Sequence, residues 1–108
     1  MIQNITPDQK MTSMVGFALK SGKFVAGYET IRNELNRHRL SLILINNDIS
    51  ENTQKKIYQL SRKTNVPVFK TTSGTIWKES WGIENKKILG VLKGEIGSNI
   101  LKILKQEH

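Results

Sequence analysis

Apolar positions along this chain alternate between helical spacing and short unbroken runs. Met11, Met14, Val15, Ala18 and Leu19 fall at i, i+3, i+4, i+7 and i+8, the spacing of one helical face, and predict a helix running to about Lys20. Thr6-Pro7-Asp8 supplies its start, with Thr6 as N-cap, Pro7 at the first position, where a missing N–H costs nothing, and Asp8 near the positive end of the dipole. Gly22 is the expected left-handed stop. The two methionines are read as core filling rather than as a recognition surface.

Phe24-Val25-Ala26 predicts a very short strand ended by Gly27, and Tyr28 to about Arg37 a helix with Ile31 and Leu35 inward. Leu40-Ser41-Leu42-Ile43-Leu44-Ile45 is nearly unbroken in apolar character between Arg39 and Asn46-Asn47-Asp48, as a central strand covered on both faces must be. Ser50 caps the next helix, with Glu51 favourable beside the dipole and Ile57, Leu60 and Ser61 on the buried side. Val66-Pro67-Val68-Phe69 is a strand whose proline argues for an edge or for the point where the chain joins the sheet. Thr71 to Thr75 forms a polar loop, and Thr75 is the expected cap of a short helix with Ile76, Trp77, Ser80 and Trp81, ended by Gly82. Ile88 to Leu92 is the last strand, and Ile96, Ile100, Ile103 and Leu104 mark the last helix. This alternation predicts a three-layer α/β/α sandwich with a four-stranded mixed sheet, one domain over residues 1–108.

Charge changes the picture. Seventeen Lys and Arg against nine Asp and Glu leave +8 on 108 residues, and there is no cysteine. The missing thiols exclude disulfide scaffolds, thiolate zinc sites, iron–sulfur clusters and a cysteine nucleophile. No basic segment followed by an apolar core opens the chain, and no run approaches the roughly 18 apolar residues of a membrane span, so a cytoplasmic protein is expected. A strong positive balance serves either solubility or attraction to polyanions, because each ordered phosphate contact releases counterions. The excess is uneven: residues 1–54 hold six basic and five acidic side chains, residues 55–108 eleven and four.

Candidate chemistry is thin. His38 lies in Arg37-His38-Arg39 and His108 stands last; neither neighbours another metal-ligand type at helical or hairpin spacing, so no metal, cofactor or enzymatic activity is expected. His38 is read as a solvated helix end. Asn46-Asn47-Asp48 closes the central strand where open α/β sheets gather ligands, and is equally a turn held by side-chain to backbone hydrogen bonds. Gly90, Gly94 and Gly97 match neither a dinucleotide fingerprint nor a P-loop. Two loops combine glycine, hydroxyls and basic residues. Lys23 to Tyr28 leads into a helix N-terminus, whose free N–H groups and dipole suit a phosphate, and Thr71 to Thr75 lies between Lys70 and Lys78. Together at one end of a sheet they would cradle an RNA backbone. Tyr28 and Trp77 either stack unpaired bases or pack against neighbouring helices, and packing is the preferred reading for Trp77.

Several strings lie in a familiar order between about Met11 and Leu104: Ala18-Leu19-Lys20-Ser21-Gly22-Lys23 with Val25 and Gly27, Leu42 to Asp48, Ser50-Glu51-Asn52-Thr53 with Lys55-Lys56, Asn65-Val66-Pro67-Val68, and Gly82 closing the short helix. In these the chain resembles the kink-turn RNA-binding ribosomal-protein family, the L-seven-Ae and L-thirty-e group, especially its small bacterial members. The resemblance implies an α/β/α sandwich that inserts one face into a sharply kinked internal loop of RNA. Contacts would come from Lys23 to Asn33 and from Lys70 to Lys78. The family's usual string Gly-x-Asn-Glu-x-x-Lys reads here Gly27-Tyr28-Glu29-Thr30-Ile31-Arg32-Asn33, keeping the glycine and placing Glu29, Thr30 and Asn33 where Asn, Glu and Lys belong. A carboxylate only accepts where an amide also donates, so the standard base contact is altered or lost, while Arg32 stands one residue before the missing cation. The Leu-Gly pair common in the short fourth helix is Trp77-Lys78.

Resemblance and charge together give as first expectation a non-enzymatic, ribosome-associated, monomeric RNA-binding protein. It would grip structured rRNA or an mRNA element through Lys23, Gly27, Tyr28, Glu29, Arg32, Lys70, Ser73 and Lys78, with no membrane involved. The alternative is a protein-interaction module on the same fold that has lost kink-turn recognition. An enzymatic reading, by likeness to the RNA-binding domain of some RNA methyltransferases, is weakest, because no catalytic domain fits in this length.

Overall fold

A computed structural model describes residues 2–106 as β1 (Ile2–Ile5), α1 (Gln9–Lys20), β2 (Phe24–Ala26), α2 (Tyr28–Asn36), β3 (Leu40–Ile45), α3 (Glu51–Thr64), β4 (Val68–Thr71), α4 (Thr75–Glu79), β5 (Ile88–Leu92) and α5 (Glu95–Gln106). His108 lies outside the described residues. The strands form one mixed sheet in the order β1-β4-β3-β5-β2. β4 pairs parallel with both β1 and β3, and β5 runs antiparallel to β3 and β2.

The apolar run of β3 is central, as its composition requires, with Leu42 and Leu44 facing one layer and Leu40, Ile43 and Ile45 the other. Leu40 and Leu42 reach opposite faces because the register with β5 shifts between them, so that two steps along β3 match one along β5. On the first face Met11, Val15 and Ala18 of α1, Trp77 of α4 and Ile100 and Leu104 of α5 close the core. On the second, Ile31 and Leu35 of α2 and Ile57 of α3 do so. These are the helical faces that the apolar spacing marks out, and three layers follow from burying them on one sheet. No helix among the described residues is long and apolar enough to cross a membrane.

Four expectations are corrected. The sheet has five strands, not four, because Ile2–Ile5 adds in parallel to the outer edge of β4. With those residues extended, Thr6 is not a helix cap: Asp8 is, accepting the Met11 N–H at 2.8 Å, while the Thr6 hydroxyl meets that of Thr72 at 3.3 Å. Of the two positions expected for Pro67, the point where the chain joins the sheet holds: it immediately precedes β4, its carbonyl accepting the Ile43 N–H at 3.0 Å, and β4 is not an edge, since β1 covers its far side. Thr75 is the first residue of α4 rather than its cap, which is Gly74, and Thr71 belongs to β4 rather than to the loop. Ser50 does cap α3, accepting the Thr53 N–H at 3.2 Å, and Gly22 follows α1 at φ 70°.

Trp77 packs rather than stacks. It is buried, meets Trp81 edge-to-face with centroids 5.6 Å apart, and its indole N–H donates to the Thr71 hydroxyl at 3.0 Å. Trp81 donates in turn to the Thr12 carbonyl at 3.0 Å, so the pair ties α4 to β4 and α1. Thr71→Val leaves a buried indole donor without a partner and is expected to lower unfolding stability by about 1–3 kcal/mol in a urea titration. Adding Trp77→Phe removes that donor, so the cycle should show the double variant losing less than the sum of the two single losses.

Candidate nucleic-acid interface

The turn from β2 into α2 depends on Gly27. Its N–H donates to the Ile88 carbonyl at 3.1 Å, its carbonyl accepts the Ile31 N–H at 3.0 Å, and its backbone lies at φ 91°, ψ 151°. That region of backbone space is open almost only to glycine. A Cβ there would also stand 3.3 Å from the Lys86 Nζ, so the absent side chain lets this ammonium close on the start of α2.

The neighbouring loops are locked to the same end of the sheet. Asn46, buried at the end of β3, donates its N–H to the Lys87 carbonyl at 2.9 Å, and its Oδ1 accepts the Asp48 N–H at 3.2 Å. The Asp48 carboxylate holds the Lys87 ammonium at 2.6 Å. Of the two readings of Asn46-Asn47-Asp48, these bonds describe the turn. Gly74 approaches from the loop after β4, where a Cβ would stand 2.6 Å from Asn46 Oδ1 and 2.7 Å from Asn47 Oδ1. Around this contact an open groove of about 610 Å³ is lined by Asn46, Asn47, Asp48, Gly74, Thr75, Lys78, Lys86 and Lys87, among others. The exposed hydroxyls of Ser73 and Thr75 lie 3.0 Å apart beside it, and Lys78 pairs with Glu84 at 3.5 Å.

Gly27, Ser73 and Lys78 therefore meet at one end, the end where β3 and β4 finish, and Lys86 and Lys87 lie between them. Tyr28 is half-buried against the α2 and α3 core, with the Lys56 ammonium 5.8 Å from its ring centre. Glu29 and Arg32 are exposed and bonded to each other at 2.7 Å, so the Arg32 charge is already partly answered.

Two of the residues selected from the sequence do not join this cluster. Lys23 lies beyond the opposite end of β2, with its carbonyl accepting the Leu92 N–H at 3.0 Å, because a strand separates it from Gly27. Lys70 belongs to β4 and turns onto α3, its ammonium donating to Gln54 Oε1 at 2.9 Å. Lys86 and Lys87 are not among the residues expected from the sequence, and the structure places both at this end. The antiparallel direction of β5 is the signal that places its start beside the end of β3. Among the described residues no group of three or more His, Cys, Asp or Glu could hold a metal ion.

The sequence model of the ribosomal protein L7Ae/L30e/S12e/Gadd45 family matches residues 9–80. The chain belongs to this family. Family relatives include the RNA-binding protein YlxQ of Enterococcus faecium, 29% identical over 84 residues, covering 78% of this chain and 81% of that protein. The RNA-binding protein YlxQ of Bacillus subtilis (strain 168) is 26% identical over 91 residues, covering 84% and 91%. A Bacillus halodurans protein of unknown function has a similar fold at TM-score 0.81 and 16% identity, covering 91% of this chain and 99% of that one. The Giardia lamblia 15.5kD RNA binding protein does so at TM-score 0.74 and 11% identity, covering 94% and 90%. Gly27, the glycine on which part of the resemblance rests, is required here by its backbone conformation and by the close Lys86 ammonium.

Gly27→Ala is expected to cost about 1–3 kcal/mol of unfolding free energy from backbone strain alone. Gly74→Ala should also destabilise, by forcing the Asn46 and Asn47 amides apart. Gly16→Ala, inside α1 with its nearest neighbour at 4.0 Å, should instead stabilise by about 0.5–1 kcal/mol. Chemical denaturation of the three variants checks the order.

Proposed function

We propose that this chain is a non-enzymatic RNA-binding protein that takes a kinked, structured RNA element at the Gly27 end of its sheet. One observation supports this reading above the others: Gly27 brings the Lys86 ammonium against the start of α2, where the first N–H groups have no partner within the helix. Two kinds of positive charge thus converge on one point, and no carboxylate among the described residues pairs with Lys86. Family membership and the RNA-binding relatives point the same way.

Gly27, Tyr28 and Glu29 form one side of the proposed site and Ser73 and Lys78 the other, with Lys86 and Lys87 between; Arg32 stands behind as the partner of Glu29. Lys23 and Lys70 are left out of it. Glu29 and Thr30 supply no amide side chain to read a base edge as the family's string does, so phosphate attraction carries more of the affinity and base readout less. The protein is read as a cytoplasmic monomer whose target is a structured element of rRNA or mRNA, on the ribosome or off it.

A shift assay comparing a kink-turn hairpin with the same duplex straightened by mutation, across a range of salt, tests the reading. Tighter binding of the kinked hairpin is expected. Lys86→Gln should weaken binding and reduce the slope of log K against log salt by about 1, while Lys23→Gln should leave the preference for the kinked hairpin intact. Equal affinity for both duplexes would reduce the function to generic phosphate binding, and purification free of nucleic acid with a bound protein would favour an interaction module.

A further inference from the structure

Most of the positive excess lies away from the Gly27 end. Residues 52–78 hold six basic side chains and no acidic one, and four of the six, Lys55, Lys56, Arg62 and Lys63, are exposed on α3. Lys55 is paired with Glu51, which leaves Lys56, Arg62 and Lys63 without a carboxylate among the described residues.

Two of these three cations are held in a particular way. The Lys56 ammonium lies 5.8 Å from the centre of the Tyr28 ring, and the Arg62 guanidinium 5.8 Å from that of Tyr58. A carboxylate partner would fix a cation and cancel its charge at once. An aromatic face fixes it through the ring quadrupole and leaves the net charge in place for another anion. Lys56, Gln59, Arg62 and Lys63 moreover line a concavity of about 580 Å³ between α3 and Tyr28, whereas a merely solvated helix face is convex. Lys56 to Lys63 spans about 10 Å along the helix, enough to meet successive phosphates of one strand. Tyr28 joins this concavity to the Gly27 end, since it is the first residue of α2.

We propose that the concavity between Tyr28 and the outer face of α3 is a second RNA contact, one that holds the sugar-phosphate backbone of the strand leaving the element bound at Gly27. The proposal rests on the RNA-binding reading above and adds a separate surface to it. Lys56, Arg62 and Lys63 meet phosphates, Gln59 donates to a phosphate or a 2′-hydroxyl, and no base edge is read, so the contact is indifferent to sequence and sensitive to length.

The test uses the full chain, its triple variant Lys56→Gln, Arg62→Gln, Lys63→Gln, and the kink-turn hairpin with its flanking helix either trimmed to a minimal stem or extended by a full turn. Wild type should bind the extended hairpin more tightly than the trimmed one. The triple variant should lose that difference, with a salt slope on the extended hairpin lower by about 2 to 3, and should bind the trimmed hairpin as wild type does. All three positions are exposed, and circular dichroism of the variant checks that the fold is kept. Equal wild-type affinity for both lengths, or an equal loss by the variant on both, overturns the second contact and leaves the Gly27 reading standing. Failure of wild type to bind either hairpin overturns both. Wild-type binding to anionic phospholipid vesicles that the triple variant loses, with an unchanged RNA salt slope, would assign the concavity to a membrane surface and overturn the proposal.

Discussion

Burying one strand on both faces governs this molecule. β3 has almost no side chain that water can satisfy, so each face needs its own helical layer, and the helices on the two sides are those whose apolar stripes can meet it. Its neighbours run in opposite senses, β4 parallel and β5 antiparallel, and this mixture decides what gathers where it ends. The end of β3 meets the end of β4 but the beginning of β5. Asn46 sits at that junction, bonded to the Lys87 backbone and in contact with Gly74. The cluster at the Gly27 end is thus assembled by sheet direction, from residues far apart in the chain.

Elements with strong periodicity were legible in the sequence. β3, α3 and α5 fall where the apolar pattern puts them, since burial of the marked residues is what stabilises them. β1 was not legible: Ile2-Gln3-Asn4-Ile5 is short and half polar, and its strand character comes from pairing with Val68 to Thr71, some way off in sequence. The helix start was misplaced for the same reason, because Thr6 and Asp8 are both competent caps and only the extended conformation of the preceding residues selects between them. Within the candidate site, Gly27 was legible as a helix start, while Lys86 was not, its proximity depending on the direction of β5. Lys23 shows the converse: close in sequence to Gly27, it is carried to the other end by three residues of strand.

The departures of the 27–33 string take on a physical meaning beside this geometry. The exposed Glu29, at the position where the resemblance expects an amide, bonds to Arg32, one residue before the position where it expects a lysine, so these two charges answer one another. Unanswered positive charge lies instead on Lys86 and on the face of α3.

The fifth strand also bears on how the sheet meets other chains. Without β1, the margin on that side would be β4, with Val68 and Phe69 buried on opposite faces and a row of amides ready to template another strand. In its place stands a four-residue strand bearing Gln3 and Asn4, too short and too polar to seed an extended ladder. The opposite margin, β2, has three residues. Both borders of the sheet are thereby kept brief, which protects a strongly apolar centre from edge-to-edge aggregation.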